Sequence, residues 1–226
     1  MNNQKSHVYA VLDEAGCIVQ IEGEYSLSNI EDIGKAVLVE EGTPCDRLNH
    51  AQHLYLEGPL LSEDKIPLYK WDGQKVQPRT EEEIAADRAP KLRAAKLAEL
   101  SAACNAAITA GCDVTLSNRS GHIALTAEDQ INLSTATAAV EQGAAGYPYH
   151  LDGQLCAIYP AADIRAMAAA ATAHKLEQTT YYNHLAAWVR RTETAEELAA
   201  ITYGSALPQD LEDNMAAILG AANNET

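Results

Sequence analysis

From His7 to Pro78 the pattern of apolar and polar positions is that of short strands separated by turns. His7-Val8-Tyr9-Ala10-Val11-Leu12 and Cys17-Ile18-Val19-Gln20-Ile21 flank Asp13-Glu14-Ala15-Gly16, where Gly16 can take the left-handed position of a hairpin loop. A short helix is expected to start near Ser28, with Asn29, Glu31 and Asp32 favouring its first turn, and a strand from Ala36 to Glu40 ends at Gly42. Leu68-Tyr69-Lys70-Trp71 and Lys75-Val76-Gln77, joined through Asp72-Gly73, make a second hairpin. Residues 1–79 thus read as a small, mostly antiparallel β module.

The pattern then changes period. Thr80-Glu81-Glu82-Glu83 is an N-cap followed by carboxylates in the first turn, so a helix runs through Ile84 to about Ala89. Pro90 removes a donor and either kinks that helix or begins a new one. Beyond it Leu92, Leu97, Leu100, Cys104 and Ile108 fall near helical spacing, and Gly111 caps the end. Residues 80–111 form a connector of about 30 residues, roughly 45 Å long at about 1.5 Å per residue. Its alanine-rich stripe lacks sustained heptads, which favours packing on its own domain over a trimeric coiled-coil stalk.

Residues 112–191, with the end of the connector, alternate ribbon and helix. Thr126 is an N-cap backed by Glu128 and Asp129, and Pro160 precedes a helix that has Asp163 in its first turn. Between them Leu151-Asp152-Gly153-Gln154 is a tight turn that pairs Tyr147–His150 with Leu155–Tyr159. A two-strand ribbon is too small to stand alone and must lie on the helices. In 192–226, Glu193–Ile201 and Leu207–Leu219 suggest two short helices broken at Tyr203-Gly204-Ser205. Pro208 opens the second, and the closing GAANNET should fray. The fold class expected is α+β: an antiparallel β-rich N-terminal module, a connector helix, a mainly helical C-terminal module with short hairpins, and an acidic helical tail.

Composition narrows the partners. Phe is absent and alanine supplies much of the apolar content, so the helices are thin and pack closely. The formal charge of −16 argues against nucleic acid and against an anionic membrane surface. Seven acidic residues and no basic one lie in 192–226, a solvated face or a site for a basic partner. The start MNNQKSHVYAVLDEAG has no apolar signal region, and no run approaches the ~18 apolar residues of a membrane span. Five scattered cysteines read as reduced, small buried residues.

Candidate chemistry is sparse. His50 and His53 with Asp46 have ligand types that suit a divalent ion, but H-x-x-H alone lacks the further ligands of a zinc site, so no metal is expected. His122, His150, His174 and His184 read as structural imidazoles that satisfy buried polar partners or sit at an edge. Cys156, placed in an apolar strand, reads as an unreactive thiol. No phosphate loop, nucleophile elbow or paired-carboxylate signature occurs. The expectation is therefore no cofactor, no catalytic residue and no enzyme. On a helix Tyr181, His184, Leu185 and Trp188 share one face, with Tyr182 on an adjacent face that could meet Tyr147 or Tyr149. Core packing is the plainer reading of that face; the functional one is a docking surface made of Tyr147, Tyr149, His150, Tyr181, Tyr182 and Trp188.

The ordered motifs HIALTAEDQINL, YPYHLDG, and HK followed by TTYYNHLAAW resemble a domain of unknown function found at the C-terminal end of many bacteriophage tail-fibre and tail-fibre-assembly proteins; the likeness covers about Ala94 to Arg191. EEGTPCDRLNHAQHLYLEGPLLSEDKIPLYKWDGQKVQPRTEEEIAADRA is similar to N-terminal parts of tail-fibre-region proteins in phages of gut Firmicutes. The resemblance implies a structural tail protein of the fibre or baseplate region that is made in the host cytoplasm and acts by protein–protein binding. Its partners would be fibre or baseplate proteins, with a homodimer or homotrimer compatible. An assembly chaperone that binds the fibre tip is the alternative. A small enzyme acting on cell-surface sugar lacks the placed acid pair that such work needs.

Overall fold

The computed structural model describes residues 5–44 and 55–224, and its fold is α+β. His50, His53 and Asp46 lie outside the described residues, as does Cys45. The chain divides into two compact units, 1–91 and 92–226.

In the first unit β1 (Lys5–Leu12) is the centre of a three-stranded antiparallel sheet, between β2 (Ile18–Gly23) and β3 (Ala36–Pro44). Alternation turns Val8 and Ala10 inward, where they meet Ile18, Ile21, Val39 and Leu60. The β1–β2 loop is held by Asp13, whose Oδ1 accepts from Ala15 N at 2.9 Å and Cys17 N at 2.8 Å, while Gly16 takes φ +81. The β4 (Tyr69–Trp71) and β5 (Val76–Pro78) hairpin forms as expected, with Gly73 at φ +93 and Asp72 accepting from Gln74 N and Lys75 N.

The helix expected to start near Ser28 is not formed. Instead a 3-10 segment, Glu24–Asn29, ends there, and Asp32 caps a second one, Ile33–Lys35. Ser26 Oγ bonds both the N–H and the carbonyl of Gly23, a local alternative to helical bonding, and Val37 already lies in β3.

α1 (Glu81–Ala110) is a single helix that continues through Pro90. Its start is a reciprocal cap: Thr80 Oγ1 accepts from Glu83 N at 3.2 Å, and Glu83 Oε2 accepts from Thr80 N at 2.9 Å. Ion pairs Lys70–Glu83, Arg79–Asp87 and Arg88–Asp64 hold its first turns within the first unit.

The second unit has two cores. Hairpin β6 (Cys112–Thr115)–β7 (Ser120–Ile123), α2 (Ala127–Glu141), hairpin β8 (Gly146–Tyr149)–β9 (Ala157–Pro160) and the first half of α3 (Ala161–Arg191) enclose one. Leu125, Leu133, Leu151, Tyr159, Ile164 and Met167 fill it. The end of α3 with Leu100 of α1, α4 (Ala195–Ala200) and the turn after it encloses the other, around Leu185, Val189, Leu198 and Ile201. α5 (Gln209–Asn224) lies beside α3, bound through His184–Asn214 and Arg191–Asp210. It runs past Leu219 to Asn224, so residues 220–224 are helical where fraying was expected; Ala221 and Ala222 are strong helix formers.

The Thr126 cap of the second unit forms where the sequence places it. Thr126 and Asp129 make a reciprocal capping pair, and Thr194 caps α4. The β8–β9 pairing is shorter than expected: Tyr149 pairs Ala157, and Leu155 and Cys156 fall in the loop. Leu151, fully buried, turns into the core beneath Gly121, whose missing Cβ would stand 2.7 Å from Leu151 Cδ1. That inward turn ends the ladder early, leaving Leu155 91% exposed. Cys156 is correspondingly exposed, not buried in a strand; Cys17 and Cys104 are buried and Cys112 half-buried.

Candidate docking surface

Of the six aromatic and histidine residues expected on one surface, five divide between the two cores and His150 is exposed. Tyr149 sits in the first core, only 7% exposed, donates to the Asp129 carbonyl at 3.4 Å, and stacks on His150 at 5.6 Å. Burial, with Asp129 and Asp152 adding to it, pushes its phenol up to about 12. Tyr147 packs against the same core.

Tyr181, Tyr182 and Trp188 pack instead against the second core, where Leu185 is fully buried. His184 is buried between them, its Nδ1 donating to the Thr180 carbonyl at 2.7 Å and its Nε2 2.9 Å from Asn214 Oδ1. The single patch with Tyr182 against Tyr147 or Tyr149 is therefore not formed. The 31-residue α3 is the reason: its two halves serve different cores.

His174 and His122 hold backbone. His174 Nε2 donates to the Ala107 carbonyl at 3.0 Å. His122 bonds the Ala110 carbonyl through Nε2 at 2.7 Å and Asp113 Oδ1 through Nδ1 at 2.9 Å, with Asp152 4.0 Å away. Both bonds are best served by the protonated ring, so the Ala110 carbonyl first and then Asp113 hold its pKa above the ordinary 6.5. A raised folded-state pKa stabilises fully below the unfolded value and ceases to do so as pH rises through the folded one. Stability of the wild type relative to His122→Gln should accordingly shrink as pH climbs from about 6 to 8. Urea titrations of both proteins at several pH values check this, and parallel pH curves would refute it.

Tyr159, buried in the first core, has a hydroxyl without a hydrogen-bond partner among the described residues, under the Arg119 guanidinium 5.4 Å from its ring. Tyr159→Phe keeps the ring and removes the orphan. The melting midpoint should hold or rise, by no more than about 1 kcal/mol in stability; a clear loss would reveal a partner for the hydroxyl.

A further concavity with recognition character is not one that the sequence singles out. A cleft of about 440 Å³ opens between α3, the turn at 203–207 and α5, with Glu177, Gln178, Tyr181, Tyr203, Leu207 and Met215 among its walls. Gly204, at φ +104, lets the chain reverse there. Tyr181 OH donates to the Ser205 carbonyl at 2.7 Å and accepts from Gly204 N at 2.9 Å. Tyr203 OH donates to Gln178 Oε1 at 2.7 Å, and the two rings meet edge to face at 5.2 Å. Burial raises both phenols, so they remain neutral. The only signal in the sequence is Tyr203-Gly204-Ser205, which reads as a helix break.

Among the described residues no three His, Cys, Asp or Glu side chains converge as metal ligands, and no helix is long and apolar enough to cross a membrane. The second unit is thus a helix-and-hairpin domain whose surface offers an aromatic cleft. The chain belongs to the family described as Domain of unknown function (DUF4376), which matches residues 91–203. No curated protein and no solved structure matches it.

Proposed function

We propose that this is a structural protein of a bacteriophage or phage-like tail, in the fibre or baseplate region, acting by protein–protein binding. The observation that carries the reading is the ordered resemblance of HIALTAEDQINL, YPYHLDG and TTYYNHLAAW to domains of tail-fibre and tail-fibre-assembly proteins. These motifs lie on the elements that build the two cores of the second unit, β7 through α3. The preformed cleft beside them, with its tyrosine hydroxyls tied internally, is the kind of surface a binding protein presents. The protein is made in the host cytoplasm and ends in the virion tail.

Because the resemblance extends to assembly proteins, an assembly chaperone that leaves the particle is the second reading. Co-expression with fibre and baseplate proteins of the same phage, followed by size-exclusion chromatography with light scattering, reads binding and any homodimer or homotrimer. Mass spectrometry of purified particles separates the two. Co-elution with a fixed copy number in particles is the expected result; co-elution without incorporation means a chaperone, and no binding sinks both.

A further inference from the structure

We propose that the cleft between α3, the 203–207 turn and α5 receives an arginine side chain from an extended segment of a partner protein. This deepens the reading of the chain as a binding protein and rests on it. Three observations lead to arginine. The walls are aromatic and apolar: Tyr181 and Tyr203 in edge-to-face contact, with Leu207 and Met215. Both tyrosine hydroxyls already have internal partners, so the ring surfaces rather than the phenol groups are what a ligand meets.

Two carboxylates, Glu177 and Glu212, belong to the same lining and are exposed, and no Lys or Arg among the described residues lines it. The charge of Glu177 is felt at the Tyr203 ring, where it adds to the rise in that phenol's pKa. A planar, weakly hydrated guanidinium can lie against an aromatic face and pair with a carboxylate at once, whereas a strongly hydrated ammonium fits such a site less well.

The surroundings point away from a second copy of this chain. Residues 192–226 carry seven acidic side chains and no basic one, within a chain of net charge −16. A second copy would bring charge of the same sign, while a basic partner segment is drawn in.

The test uses the full-length protein, isotopically labelled for NMR, and the peptide acetyl-Gly-Leu-Arg-Leu-Gly-amide beside its citrulline counterpart, which keeps the shape and removes the charge. The arginine peptide should shift the amides of Gly204, Ser205, Leu207 and Met215, and the citrulline peptide should bind at least about tenfold more weakly. The E177Q/E212Q double variant changes only exposed side chains and should bind the arginine peptide as weakly as the wild type binds citrulline. Equal affinity for the two peptides, shifts confined to other residues, or no shifts at millimolar peptide would overturn the assignment.

Co-elution of the same variant with fibre and baseplate proteins separates the cleft from the tail reading. Loss of co-elution in the variant alone is expected. A variant that co-elutes as well as the wild type removes the cleft but leaves the tail reading; absence of co-elution for both, with the arginine peptide still bound, removes the tail reading and leaves the cleft.

Discussion

Gly111→Ala should destabilise the second unit by at least about 3 kcal/mol and lower its melting midpoint by roughly 10 °C. Two independent effects act at this residue. Its φ of +89 is one that a side chain resists. In addition, a Cβ there would stand 1.9 Å from the Ile123 carbonyl oxygen and 2.7 Å from Ala124 Cα, both backbone atoms with no rotamer to yield. Relief would require the end of α1 to part from β7. That movement would strain the bonds on either side of the contact: Leu125 N to the Thr109 carbonyl at 3.2 Å and His122 Nε2 to the Ala110 carbonyl at 2.7 Å. Gly143 supplies the control, since it has φ +99 with nothing within 4 Å of the place a Cβ would occupy. Gly143→Ala should cost only the backbone strain, about 1 kcal/mol. Circular dichroism melts of the two variants decide the point: equal losses would mean that the close approach to β7 contributes nothing.

These two glycines also mark which parts of the fold can be read from the sequence. Turn and cap chemistry is legible because it is local: Asp72-Gly73, Asp13 to Gly16, Thr80 and Thr126 each act on backbone within four residues. Gly111 is legible as a helix stop, but its contact with Ile123 depends on how β7 returns to the helix. The early end of the β8–β9 ladder is hidden for the same reason, because Leu151 turns inward only where Gly121 leaves it room. Pro90 signals a kink or a new start, yet the 30-residue helix runs through it, so one missing N–H does not outweigh the bonds on either side.

The candidate surface is legible only in part. Helical spacing correctly puts Tyr181, His184, Leu185 and Trp188 on one face, and core packing accounts for that face. Spacing along one helix carries no information about which core each half of α3 serves, so it cannot separate Tyr147 and Tyr149 from residues of the other core. The cleft depends on Tyr181 meeting Ser205 and Tyr203 meeting Gln178, pairs 24 and 25 residues apart. Part of it, from Gly204 to Met215, also lies beyond residues 91–203 that match the family.

Asp163 carries the second large effect. The sequence places it in the first turn of α3, where a carboxylate complements the helix end. The structure gives it a further role: 3% exposed, its Oδ1 accepts from Ser117 N at 2.9 Å and from Ser117 Oγ at 2.6 Å, fixing the β6–β7 turn to the start of α3. Asp163→Ala removes the buried acceptor, both bonds to a charged group and the carboxylate at the helix end, so a loss of about 3 kcal/mol is expected. Asp163→Asn retains an oxygen for both bonds but loses the charge at the helix end and adds an amide that needs partners. Its loss should be about half as large. Urea unfolding of both variants gives the order, and hydrogen exchange at Ser117 gives the cause, since only the alanine variant should free that amide. If asparagine proves as damaging as alanine while Ser117 stays protected, the charge and not the tether is what the position supplies.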